Sequence, residues 1–298
     1  MAVPVLDSLG LDAALLGALD RRTLRLRRPL PGGEVAGTRR ARGAGESVEV
    51  SDHRAYAPGD DLRRVDWGAF ARSDRLSVRL GLAEREATVT LVVDRSRSME
   101  FGEPVSKADR ARSIAAAMAW VAVQGGDRVA VAGVGSTVVR WCPPVRGRVG
   151  VHRAWRLLAS LPVAAAGDPA ALVALAPRLR PGLCVVLSDF MTTADWGVAL
   201  RALRGARQEV LLIQVLSAAE LDPELAGDLR LRDSESGAAV EVSATPAVLR
   251  AYRQALDAHT ARLGALARGH GATFLRVVTT TPLRTVLLAD MPRAGALR

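Results

Sequence analysis

Asp94-Arg95-Ser96-Arg97-Ser98 follows directly on the apolar, β-branched run ATVTLVV and sets three oxygen donors at alternate positions there. A carboxylate and two hydroxyls at alternate positions where a strand ends fall on one turn. All three are hard oxygen donors, suited to Mg2+, Mn2+ or Ca2+ rather than to zinc. A second carboxylate, Asp189, closes another apolar run, LCVVLSD. Asp94, Ser96, Ser98 and Asp189, with waters completing an octahedron, would form a divalent-cation site, and Mg2+ in such sites keeps waters that an incoming ligand can replace. Aspartate is also a favoured helix cap, a role either residue could fill alone, but capping requires no D-x-S-x-S spacing.

The elements that must position these groups alternate in type. After the buried strand ending at Asp94 comes a helical pattern over 107–124, opened by Ser106 and Asp109 as a capping box. DRVAVAGVG (127–135) and TVVRWC (137–142) read as strands, followed by helices near 149–161 and 170–179, the second started by Asp168 and Pro169. LCVVLSD (183–189), a helix near 194–204 and EVLLIQV (209–215) continue the pattern. A hairpin turning at Glu235-Ser236-Gly237, an amphipathic helix over 246–269 and ATFLRVV (272–278) complete it. The alternation predicts an α/β fold, a doubly wound, mainly parallel sheet in a Rossmann-type three-layer arrangement. Ligands in such sheets bind at the carboxyl ends of the strands, so the loops after Asp94, Gly135 and Asp189 are the ones that matter. Residues 1–84 are expected to form an N-terminal helix and a β-rich extension, and residues 85–298 the main domain.

Composition restricts the function. The net charge is +10, but Lys107 is the only lysine among 41 basic residues in a chain rich in Ala, Leu, Val and Gly. Arginine spread through the whole chain in this way reads as background bias rather than a binding face, and 4% aromatic residues provide few stacking platforms. Nucleic-acid binding is therefore disfavoured, the one local candidate being the eight arginines between 21 and 42. Cys142 and Cys184 lie in apolar runs and read as reduced, buried thiols of a cytoplasmic protein. The N-terminal segment has Asp7 and Asp12 and no leading basic cluster, so it reads as an amphipathic helix rather than a signal peptide. The most apolar stretch, 114–123, is far short of the ~20 residues that span a bilayer.

Asp94-x-Ser96-x-Ser98 resembles the metal-ion-dependent adhesion site of von Willebrand factor A domains, with Asp189 as its later aspartate. Arg54-Ala-Tyr56-Ala-Pro58-Gly59-Asp60-Asp61-Leu-Arg63-Arg-Val-Asp66-Trp67 narrows the resemblance to the bacterial domain-of-unknown-function 58 (DUF58) family, as do Ala71-Arg72, Glu84-x-Glu86 and Leu187-Ser188-Asp189-Phe190. The resemblance implies a von Willebrand factor A-like domain, no established catalytic activity, and a MoxR-type AAA+ ATPase as partner. It also implies a threonine ligand from a loop in the middle of the domain. Here that loop reads Ala164-Ala-Ala-Gly167-Asp168-Pro169, with no hydroxyl; Asp168 could replace the threonine or simply cap the helix. Arg95 and Arg97 would oppose a cation and recruit an acidic partner. Arg54 and Arg63 are either further docking groups or partners of Asp60, Asp61 and Asp66 in a structural turn, with Trp67 as core anchor.

The expected function is a non-enzymatic interaction module whose cation, Mg2+ or a similar ion, meets a carboxylate on a partner. A metal-dependent phosphoester hydrolase is the alternative, but neither a histidine nor Lys107 is placed by the sequence near these loops as a general base. Arginine-mediated nucleic-acid binding through 21–42 is the third reading.

Overall fold

The computed structural model describes residues 3–25, 53–58, 65–79 and 87–298. Two short helices, α1 (Val3–Ser8) and α2 (Ala13–Leu19), open the chain, and β1 (His53–Ala55), α3 (Trp67–Ser73) and β2 (Ser77–Arg79) follow. The main run is β3 (Thr88–Asp94), α4 (Lys107–Gln124), β4 (Arg128–Val134), β5 (Val138–Val145), α5 (Gly147–Ala159), α6 (Ala170–Leu175), β6 (Gly182–Ser188), α7 (Trp196–Gly205) and β7 (Gln208–Leu216). Then come α8 (Ala218–Leu221), the hairpin β8 (Gly227–Arg232) and β9 (Ala239–Ala244), α9 (Pro246–Gly269) and β10 (Thr273–Val278).

Six strands form one sheet in the order β10-β7-β6-β3-β4-β5, all parallel except β5. Every residue of β3 and β6 is buried, as the continuous apolar runs predict for strands covered on both faces. From β3 the chain winds outward through β4 to β5, then returns to place β6 on the other side of β3. The strand order reverses between β3 and β6, and such a switch point opens a crevice at the strands' carboxyl ends. The Val93↔Leu187 register brings Asp94 and Ser188 side by side at that edge.

Period-two alternation assigns the faces. Val89, Leu91 and Val93 of β3 join the core under α4, while Val92 joins the opposite core under α6 and α7. Asp94 continues the second set. On β6, Cys184 and Val186 share Asp94's face, and Leu187 points to α4. Ser188 therefore belongs with Asp94, and Asp189 with α4. Ser106 caps α4 as expected, accepting from Asp109 N–H (3.0 Å).

The chain divides into two compact units, 1–38 with 87–298 and 39–86. The first helices belong to the main unit because Leu9, Leu11, Leu15, Leu16 and Leu19 complete its core, and burying them stabilises each by about 1.5–3 kcal/mol. Asp20 fastens α2 to α4 by accepting from Trp120 Nε1 (2.8 Å) and Gln124 Nε2 (2.9 Å). Thr23 pairs with Arg298 through both backbone groups (3.1 and 3.0 Å). The 39–86 unit contains the antiparallel β1–β2 pair and α3, which Asp66 caps by accepting from Ala69 N–H (2.9 Å). Trp67 is 57% exposed, so it is not the expected core anchor; α3 is two turns long and buries none of its residues. Arg54 lies on β1, whereas Arg63, Asp60, Asp61 and residues 26–42 fall outside the described residues.

Candidate functional site

The loop after β3 folds onto its own aspartate. Asp94 Oδ1 accepts from Ser96 N–H (2.8 Å), turning the chain so that Ser96 Oγ and Ser98 Oγ stand 3.0 Å apart. Asp94 Oδ2 accepts from Ser188 Oγ (2.6 Å), which joins the two strand ends across the switch point. Asp94 is buried, yet both of its donors are neutral, and among the described residues no cationic side chain pairs with it. Burial pushes its carboxyl above the ordinary carboxylate range, the Ser188 and Ser96 hydrogen bonds pull the other way, and the charge of Asp189 adds to the rise. Such a carboxylate has acceptor capacity left over and lacks a counter-ion.

Asp189 differs. Its Oδ1 accepts from Met191 N–H (3.1 Å) and its Oδ2 from Lys107 Nζ (2.7 Å). The same ammonium also meets Glu220, whose other oxygen accepts from Ser217 N–H (2.8 Å) in the capping box that opens α8. Burial of Lys107 disfavours its charge, but the two carboxylates outweigh that cost and hold its pKa above the ordinary lysine value. Beyond Asp189 the backbone is strained. Phe190 takes φ 58°, a left-handed conformation rare for a bulky residue. It is held there by its N–H on Ser188 Oγ (3.0 Å), by His259 Nε2 donating to its carbonyl (3.0 Å), and by its ring edge-on against Trp196 (4.6 Å).

The third loop closes the edge without a ligand side chain at the expected place. Gly167 packs so tightly that a Cβ there would stand 3.2 Å from Asp94 Oδ2 and 3.3 Å from Ser96 Cβ. Asp168 is exposed, and its Oδ1 accepts from Ala170 N–H (2.7 Å) in the turn that leads into α6, while still lining the cleft. Gly135 lets this loop approach, because a Cβ on it would lie 2.3 Å from Ala164 Cβ. The resulting cleft, about 20 Å3, is lined by Asp94, Ser96, Gly167, Asp168, Ser188 and Asp189, together with Glu235 of the β8–β9 turn. A space of that size admits one water or a small ion.

Four of the sequence-predicted ligands thus converge, and Asp168 joins them at the cleft. Arg95, expected to recruit an acidic partner, is buried instead. It is 2% exposed, ion-paired to Glu100 (2.8 Å) and donating to Pro162 O (3.3 Å), and burial lowers its pKa. With Arg95 N–H on Val134 O (2.8 Å) and Ala164 N–H on Arg95 O (2.6 Å), it straps three loops together. Arg97 is exposed on the turn that follows Ser96. Sequence reasoning missed Lys107, which the helix delivers to Asp189, and the signals for it were available. It is the only lysine in an arginine-rich chain, and Ser217-x-x-Glu220 repeats the capping-box spacing just after β7. His259, on the helix over 246–269, is half-buried against Phe190.

The donor set suits a hard cation at Asp94. One buried, counter-ion-free carboxylate faces a pair of hydroxyls in an ion-sized cleft, although no cluster of three His, Cys, Asp or Glu side chains forms among the described residues. Comparison with known proteins places the chain among relatives of similar length. It is 37% identical over 260 residues to uncharacterised proteins of Mycobacterium tuberculosis and Mycobacterium bovis, covering 85% of this chain and 80% of each relative. Among solved structures it is similar to the conserved hypothetical protein BatB of Bacteroides thetaiotaomicron, with a TM-score of 0.45 and 15% identity over 70% of this chain and 98% of that one. An aerotolerance-related membrane protein of Bacteroides fragilis matches with a TM-score of 0.43 and 15% identity, over 70% of this chain and 99% of that one. No described helix is long and apolar enough to cross a membrane. Residues 52–262 match the family described as protein of unknown function DUF58, and the chain belongs to that family.

Proposed function

We propose that this chain is a non-enzymatic interaction module of the von Willebrand factor A type, with a divalent cation at the β3/β6 edge. The observation that carries the reading is Asp94: a buried carboxylate with only neutral donors among the described residues, next to paired hydroxyls. Asp94, Ser96 and Ser98 would hold the ion, with Asp189 through water. When bound, a cation offers an exchangeable position to an acidic side chain of a partner. Under this reading the protein is an adaptor for a MoxR-type AAA+ ATPase, the partner implied by the family resemblance. Arg97, exposed on the same loop, would add attraction for an acidic surface.

The test is Mn2+ titration followed by electron paramagnetic resonance, paired with Mg2+-dependent capture of a MoxR-type ATPase. Asp94→Asn is expected to weaken Mn2+ binding at least tenfold and abolish capture. Mn2+ affinity unchanged in Asp94→Asn would overturn the metal reading. Turnover of p-nitrophenyl phosphate that vanishes in the same variant would replace the adaptor with a hydrolase.

A further inference from the structure

We propose that Lys107 is the resident counter-cation of this edge and sets how tightly it takes a divalent ion. The inference rests on the cation reading above and goes beyond it by assigning a residue outside the ligand set. Lys107 is 1% exposed at the first position of α4, where the positive end of the helix dipole disfavours a cation. It stays charged there because two carboxylates reach it: Asp189 at 2.7 Å, and Glu220.

Both acids are held in place independently of the lysine, Asp189 by Met191 N–H and Glu220 by the Ser217 capping box. Asp94 connects to the Asp189 turn through Ser188, whose hydroxyl donates to Asp94 and accepts from Phe190 N–H. Two carboxylates, Asp189 and Glu220, thus share the Lys107 ammonium, and Asp94, joined to that turn through Ser188, does not reach it. Among the described residues, the carboxylate left without a cationic partner is the one beside Ser96 and Ser98. An ion arriving there meets the fixed ammonium across the turn. Even in high dielectric, a unit charge about 6 Å from a divalent ion weakens its binding about tenfold. Lys107 thereby keeps the site weak and exchangeable, and it keeps Asp189 folded and paired when no ion is bound.

A purely structural ion pair would leave metal affinity untouched, and this separates the two roles. Mn2+ binding by electron paramagnetic resonance, and melting temperature with and without Mn2+, are measured on the full chain carrying Lys107→Met or Glu220→Gln. Lys107→Met is expected to bind Mn2+ about tenfold or more tighter than the unmodified protein. It should also melt lower without the ion and recover part of the loss with it. Glu220→Gln keeps the capping geometry but leaves the ammonium to Asp189 alone, and is expected to bind Mn2+ more weakly. Equal Mn2+ affinity in Lys107→Met and the unmodified protein overturns the assignment of Lys107 while leaving the cation site standing. Absence of Mn2+ binding in both overturns the cation reading and this inference together. Should Lys107→Met not fold, Glu220→Gln decides, and unchanged Mn2+ affinity there overturns the assignment.

Discussion

Ser188→Ala tests whether the switch point is held together as described. The Ser188 hydroxyl donates to Asp94 Oδ2 (2.6 Å) and accepts from Phe190 N–H (3.0 Å), and Ser188 is 1% exposed, so water does not readily replace it. Losing a hydrogen bond to a buried carboxylate costs about 1.5–3 kcal/mol, and leaving a buried N–H unpaired costs about 1–3 kcal/mol. The second loss falls on a residue already strained at φ 58°, where the restraint matters more. Because one side chain makes both bonds the two costs overlap, and a total of roughly 3 kcal/mol is expected. For a chain of this size that lowers the melting temperature by roughly 6–12 °C. Urea denaturation followed by tryptophan fluorescence measures the free energy, and calorimetry the melting temperature. The Ser188 bond is also the strongest influence holding Asp94's pKa down, so that carboxyl should titrate higher still in the variant. A loss below about 1 kcal/mol would refute the reasoning, since it would mean the two strand ends are not joined by this hydroxyl.

The remaining predictions concern the same sheet. Thr90 lies fully buried on β3 with no partner for its hydroxyl among the described residues, so the isosteric Thr90→Val should stabilise the protein by about 1 kcal/mol in urea, and a comparable loss would show that the hydroxyl is satisfied. Gly135→Ala places a methyl 2.3 Å from Ala164 Cβ and 3.0 Å from Ala166 O, so the 164–168 loop must move. The expected cost is about 1–3 kcal/mol, with faster amide exchange over 164–168; unchanged stability and exchange would rule out the close approach.

Much of the architecture is legible in local signals. The β-branched runs of β3 and β6, the Ser106 cap of α4 and the Glu235-Ser236-Gly237 turn each depend on neighbours within a few residues, and each appears where its pattern places it. The gathering of Asp94 and Asp189 at one edge also follows from sequence, because two buried parallel strands must end on the same side of a sheet. What the residues between them do was not legible. Arg95 and Arg97 look equivalent in the chain, yet Arg95 is buried against Glu100 of its own turn and Pro162 of a loop that only folding brings to it, while Arg97 is exposed. The N-terminal leucines show an amphipathic face but not that α4 and α5 would cover it.

The sequence by itself determined the α/β alternation, the oxygen character of the site and the strand ends that carry it, because these depend on residue type and short-range spacing. Only the tertiary structure decided the state of charge at the site. Side-chain alternation sends Asp94 and Asp189 to opposite faces of the sheet, and α4 lies on one face only. One carboxylate therefore has Lys107 as its counter-ion, and the other has only neutral donors among the described residues.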